Sequence, residues 1–230
     1  MSIQTYILNN YNYPDKLLSV SGFPKSLYYL GNISLLDEAI IAVIGKREST
    51  SQYLSVAEEV GATLADNKYV ILNGLAMGCD TKAMEGALSQ KGKVVAVLPG
   101  GLDVIYPKAN RTLAERILDN DGLLISEYPS GTEPQKYTFI ERDRIQAALA
   151  NKIIVIDSEI KGGTMHTVKH GLKLDKSIGC MVEIDGVTPA GNRYLCDLKK
   201  SVGLKNMEDV LNFVKEPVGQ QMSLFCREWV

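Results

Sequence analysis

No apolar run in this chain approaches the roughly 20 residues that a helix needs to cross a bilayer. The opening residues, MSIQTYILNNYNYPDK, carry neither a basic leader nor an apolar stretch of the signal-peptide kind. The expectation is a cytoplasmic protein with no membrane partner. Cysteine is sparse: Cys79, Cys180, Cys196 and Cys226 are widely spaced and form no CxxC pair. That spacing argues against a zinc knuckle and a disulfide framework, and leaves small apolar residues kept reduced. The histidines are His166 and His170, with no Glu after the first as in HExxH and no visible third ligand, so they read as surface residues rather than a metal pair. Nucleotide fingerprints are missing too: GLAMGCD is not GxGxxG, and no GxxxxGK[ST] occurs. Ser126 lacks the GxSxG elbow. No cofactor, no metal and no catalysis are expected. Nor is there a basic excess. The net charge of −2 requires any nucleic-acid site to be a local groove.

What is present is a regular alternation. After a Tyr- and Asn-rich lead-in with room for one short helix, residues 39–44 (AIIAVI) form a continuous apolar run ending at Gly45, the pattern of a strand buried on both faces. Similar runs occupy residues 69–72, 93–98, 122–126, 152–156 and 177–182. Amphipathic stretches separate them at 50–66, 77–90, 110–119, 141–150 and 164–174. Strands alternating with helices of this length imply βαβ crossovers and a parallel sheet covered on both faces. The fold expected is α/β, a doubly wound and mostly parallel sheet of Rossmann type in a single domain. Residues 1–38 form an N-terminal extension, 39–215 the Rossmann-like domain, and 216–230 a flexible tail.

Such sheets bind ligands beyond the carboxyl ends of their strands. The loops there carry Gly45-Lys46-Arg47, Gly74, Gly100-Gly101 and Gly162-Gly163-Thr164. Glycine lets backbone approach a ligand closely, and the helix that follows offers N–H groups to an anion. Taken together, the loops point to a phosphate-binding rim. Arg142 and Arg144 begin a helix-like stretch beside one such loop, and arginine forks well onto phosphate. Lys136 and Tyr137 add a charge and a stacking surface, whereas Phe139 reads as core. Arg47 and Arg142 are both expected to be exposed. Asp80, Asp103 and Asp157 stand at strand ends, and capping or ion pairing with Arg47 or Arg142 is the expectation for all three.

The segments then resemble one family in order. IAVIGKR is similar to the IVGSR signature of the DprA/Smf proteins, and NGLAMGCDTKAMEGAL to SGLAxGIDxxAHxGAL. Residues 95–117 resemble VLGxGLDxxYPxxNxxL, residues 123–157 LLSEYPPGxxPxxxxFPxRNRIIAGLSxxxVVVE, and residues 162–181 SGSLxTAxxAxxxGRxVFAVPG. FPKSLYYLGN and PAGNRYLCD extend the match on either side. The resemblance implies a non-enzymatic Rossmann-like protein that binds single-stranded DNA, forms a homodimer, and loads a RecA-type recombinase in homologous recombination and DNA uptake. Carried over, it assigns Gly45, Arg47, Gly74, Gly100, Gly101, Arg142 and Arg144 to phosphate contact, and Tyr106 and Asn110 to shaping the pocket. The chain departs from the pattern at Lys46 (usually Ser), Met84 (usually His) and Asp143 (usually Asn). Neither the family's N-terminal helical module nor its C-terminal winged helix fits this length. Gln221, Leu224 and Phe225 lie in QMSLF, similar to the QL[SD]LF peptide that binds the replicative sliding clamp. Leu224 and Phe225 would fill an apolar pocket there. A tail folded back on its own domain is the other reading. Two rivals remain: a protein binding a nucleotide-derived ligand in the glycine-rich loops, and a clamp-tethered adaptor.

Overall fold

The computed structural model describes residues 4–7, 14–18 and 22–217. In chain order it runs β1 (Gln4–Ile7), α1 (Asp15–Leu18), β2 (Ser26–Gly31), β3 (Ile40–Ile44), α2 (Ser51–Asp66), β4 (Val70–Asn73), α3 (Cys79–Ser89), β5 (Val94–Val97), α4 (Arg111–Asp119) and β6 (Leu123–Ser126). It continues with α5 (Lys136–Leu149), β7 (Lys152–Val155), α6 (Thr164–Lys173), β8 (Ser177–Met181), α7 (Ala190–Asp197), β9 (Val202–Leu204) and α8 (Met207–Lys215). Among the described residues the strands form one nine-stranded sheet, ordered β1-β2-β6-β5-β4-β3-β7-β8-β9. Every pairing from β6 to β9 is parallel; β2 runs antiparallel to β6, and β1 antiparallel to β2.

The apolar runs explain this order. All five residues of β3 are buried, with Ile41 and Val43 on one core face and Ile40, Ala42 and Ile44 on the other. A strand covered on both sides has no polar face to turn to water, so it occupies the middle of a parallel sheet. Chain order reverses around β3: β4 and β5 lie on one side, β7 and β8 on the other. That reversal opens a crevice at the carboxyl ends of β3, β4 and β7.

The lead-in is more regular than its composition implied. Instead of irregular chain it supplies β2, whose residues 28–31 pair with 126–123 of β6. Helix α5 begins at Lys136, five residues before the expected start at 141. Thr138 closes its first turn, its hydroxyl accepting from the Gln135 amide at 3.0 Å and donating to the Gln135 carbonyl at 2.8 Å. Helices α7 and α8 and strand β9 complete the parallel end of the sheet. No helix among the described residues is long and apolar enough to cross a membrane. The Gln221, Leu224 and Phe225 motif lies outside the described residues, as does Cys226.

Candidate functional site

The crevice at the reversal point is a cavity of about 770 Å³, within the range of roughly 300–1,000 Å³ typical of small-ligand sites. Three loops build it. The end of β3 and the segment after it contribute residues 44–48, the β4–α3 loop and the first turn of α3 contribute Ala76 and Asp80, and the β7–α6 loop with the start of α6 contributes Glu159 and Gly162–Thr164. The rest of the lining comes from Tyr106, from Arg142, from His166 and Thr167 of α6, and from one stripe of α5: Lys136, Phe139, Ile140, Asp143 and Gln146. The spacing of that stripe is that of a single helix face.

Loop geometry fixes Arg47. Gly78 has φ of +79°, and a Cβ there would fall 2.3 Å from the Arg47 carbonyl and 2.4 Å from that of Lys46. Glycine therefore lets the β4–α3 loop close onto the β3 loop, where the Cys79 amide donates to the Lys46 carbonyl at 3.1 Å. From this anchored backbone the exposed Arg47 side chain reaches over the half-buried Phe139 ring, 5.4 Å from its centroid. Tyr106 meets the same ring edge-on at 5.4 Å. Exposed Lys136 stands on the same α5 face as Phe139. A charged plane and two aromatic rings thus share one wall. Phe139, expected in the core, is a wall residue.

The floor is different. Arg142 and Asp143 are buried, their side chains paired Nε to Oδ1 at 3.0 Å. Arg142 also donates to the Val97 carbonyl at 2.9 Å and lies directly over Gly74, where a Cβ would be 1.6 Å from its Nη1. Gly74 is therefore a seat for the guanidinium and not a phosphate contact, and Arg142 is no exposed rim residue. Asp80 accepts from the Gly74 amide at 3.1 Å, and burial pushes its carboxyl up to about 6 although the Arg142 charge opposes this. Burial also raises Asp143, again against Arg142. The nearby Cys79 thiol is pushed up to about 12 by burial and stays an unreactive thiol.

Other expected residues are placed elsewhere. Arg144 forks onto Glu127, both N–O distances 2.7 Å, and holds the Gly22 carbonyl at 2.8 Å from Nη2. It braces β6 against the lead-in and lies off the cleft-facing stripe. Gly100 and Gly101 are buried against residues 129–134. Asn110 is buried, donating to the Leu75 carbonyl at 2.9 Å and to the Thr81 hydroxyl at 2.8 Å. It supports the β4–α3 loop from outside the cavity. Tyr106 does line it. Gly45, Lys46, Arg47, Lys136, Gly162, Gly163 and Thr164 are all brought to the cleft. Lys46 is part-engaged, 3.2 Å from Glu159 and 4.0 Å from Asp157. Asp157 therefore pairs with Lys46 and not with Arg47 or Arg142, while Asp103 staples the Gly131 amide at 2.9 Å.

Sequence reasoning missed Asp143 and Gln146 as floor residues, and also His166 and Thr167, which line the cavity from α6. The spacing of 136, 139, 140, 143 and 146 carried the signal for the α5 pair, but only for a helix begun at 136. Lys46, Arg47, Lys136 and Arg142 are matched in the lining by Glu48, Asp80, Asp143 and Glu159. The pocket is charge-balanced rather than basic, with its unpaired cations at the mouth. Among the described residues no group of three or more His, Cys, Asp or Glu could hold a metal.

The chain matches the family model of DNA recombination-mediator protein A over residues 4–215. It is 39% identical to the DNA processing protein DprA of Streptococcus pneumoniae over 166 residues, 72% of this chain. The chain spans 58% of that relative's own length. The solved structure of the S. pneumoniae protein superposes with a TM-score of 0.83 at 33% identity, covering 91% of this chain and 74% of that one. A structure of DNA processing protein A from Helicobacter pylori, concerned with that protein's single-stranded DNA binding mode, gives a TM-score of 0.80 at 29% identity over 91% of this chain and 94% of the other.

Proposed function

The chain belongs to the DNA recombination-mediator protein A family, and from that premise we propose that its cleft is a single-stranded DNA site. The carrying observation is the mouth itself: Arg47 and Lys136 flank Phe139 and Tyr106. Cations track the phosphates of an unpaired strand, and aromatic rings stack its bases. The α6 N-terminus, entered through exposed Gly162 and Gly163, adds backbone N–H groups suited to an anion. The single-stranded DNA binding mode studied in the H. pylori relative supports the same reading. Duplex DNA presents its bases paired and stacked, so it has no base to offer these rings.

The wider role we infer is recombination mediation: a homodimer in the cytoplasm that holds single strands and loads a RecA-type recombinase onto them, serving recombination and DNA uptake. Catalysis has no part in it. The carboxylates at the strand ends are occupied by structural contacts, Asp80 with Gly74, Asp103 with Gly131 and Asp157 with Ser49.

Titration of labelled oligo-dT, beside duplex DNA and a panel of mononucleotides, tests the reading. Oligo-dT should bind more tightly than the duplex and any mononucleotide. The enclosed, charge-balanced floor favours one competing reading, a nucleotide-derived ligand. Tight mononucleotide binding without oligo-dT binding would establish that reading instead.

A further inference from the structure

Two cysteines meet at the parallel end of the sheet, away from the cleft. Cys180 lies on β8 and is fully buried, while Cys196 sits half-buried in the last turn of α7. The strand register sets Cys180 beside Gly203 of β9, so the two share one sheet face. A Cβ on Gly203 would be 3.9 Å from Cys196 Sγ, which places that sulfur over the same face. The two thiols are hydrogen-bonded to each other, and the Ser201 hydroxyl stands 3.3 Å from Cys196 Sγ. Helix α7 is itself pinned to the sheet. Asn192, one turn before Cys196, donates to the carbonyls of Val155, Ile156 and Met181. The sulfurs therefore face each other in the resting fold.

We propose that Cys180 and Cys196 are a hydroperoxide-oxidisable dithiol, with Cys196 as the attacking sulfur and Cys180 as the resolving one. The hydrogen bond divides the roles. Donation from Cys180 draws the Cys196 thiol down to about 6, against the opposing effects of burial and of Asp197. The same bond, with burial, pushes Cys180 up, so it keeps its proton. At neutral pH the pair is a reachable thiolate beside a buried thiol, and the thiolate is the reactive form. Buried Cys79, held near 12, offers no such sulfur. The thiolate attacks one peroxide oxygen; an S–O bond forms, the O–O bond breaks, and the leaving oxygen takes up a proton. Cys180 then attacks the sulfenic sulfur. An S–S bond forms, the S–O bond breaks, and the hydroxide leaves as water with the Cys180 proton. Two thiols are oxidised by two electrons and the peroxide is reduced. A low-pKa, accessible cysteine next to a resolving one is the arrangement that favours disulfide over further oxidation.

The test treats the reduced full chain with hydrogen peroxide and follows it by intact mass and non-reducing peptide mapping. The expected product has lost two hydrogens, carries a cross-link joining Cys180 to Cys196, and returns to the starting mass with dithiothreitol. Cys196→Ser should lose the cross-link and leave Cys180 a free thiol, whereas Cys79→Ser should form it unchanged. In Cys180→Ala the Cys196 sulfenic acid should persist, be trapped by dimedone, and pass on to the sulfinic acid. Because the cross-link is mapped on the unaltered protein, the outcome does not depend on how well any variant folds. Peroxide treatment that leaves both sulfurs as thiols overturns the proposal. Cys196 joined to Cys226, or driven to the sulfinic acid while Cys180 stays free in the unaltered chain, overturns it equally.

Discussion

Three arginines that the sequence presents as equivalent have three different environments. Arg47 is exposed at the mouth, Arg142 is buried under the floor, and Arg144 is locked to Glu127. Substitution should separate them. Arg47→Ala should weaken oligo-dT binding with an unchanged urea midpoint, since an exposed side chain is lost and no buried partner is stranded. Arg142→Ala should strand the buried Asp143 carboxylate and cost about 3–5 kcal/mol of stability, visible as a large fall in that midpoint. A folded, normally stable Arg142→Ala protein would contradict the burial described here. Burial of a charged residue is hard to read locally: Arg142 lies inward because Gly74, distant in sequence, has no side chain in its path. Asp80 gives a pH signature. Its carboxyl is raised from 3.8 to about 6 by burial, so between those values the native state holds a proton that the unfolded chain has released. Stability therefore falls as pH rises from about 4 to 6, by roughly 2–3 kcal/mol for a shift of this size; the raised Asp143 acts in the same direction. The Asp80→Asn protein should show a flatter dependence of its denaturation midpoint over that window. An identical slope would assign the effect elsewhere.

At the scale of elements, the buried strands were legible and their edges were not. Runs such as AIIAVI have one structural use, and β3 to β8 fall within one or two residues of the stretches read from the sequence. Strand β2 was hidden because it is an edge-side antiparallel partner with mostly half-buried residues, and its Tyr-rich SLYYLG shows no clean alternation. The start of α5 was hidden because Pro134 and the polar Gln135-Lys136 read as loop; that shift of five residues concealed the cleft-facing stripe. Close packing of α2 on α3 depends on two glycines. A Cβ on Gly61 would sit 2.0 Å from the Ala83 carbonyl oxygen, and one on Gly86 1.9 Å from that of Glu58. Gly86→Ala raises helix propensity by about 1 kcal/mol but must force two backbones apart, and overpacking costs about 1–3 kcal/mol. Because the obstacle is backbone and not a flexible side chain, the cost should win. Thermal unfolding of Gly86→Ala should show a lowered midpoint; an increase would mean that the helices separate more easily than this geometry implies.

For the whole molecule, the net charge of −2 and the balanced cleft bear on how binding should respond to salt. Long-range steering by a basic surface is absent from the expectation, so the electrostatic part of affinity must come from cations within the cleft. Of these, Arg142 is neutralised by Asp143 on the floor, and Lys46 is 3.2 Å from Glu159. Arg47 and Lys136 are left to meet phosphate. Each phosphate neutralised on a single strand contributes about −0.7 to the slope of log affinity against log salt. Two contacts predict a slope near −1.4, about a sevenfold loss of affinity between 50 and 200 mM salt. Arg47→Ala should reduce the slope by about half, and Arg144→Ala should leave it unchanged. If Lys46 exchanges Glu159 for phosphate on binding, the slope should steepen toward about −2.1, and Lys46→Ala should return it to −1.4. A slope of −4 or steeper in the unaltered protein would require a basic surface outside this cleft and would show the site to be misplaced.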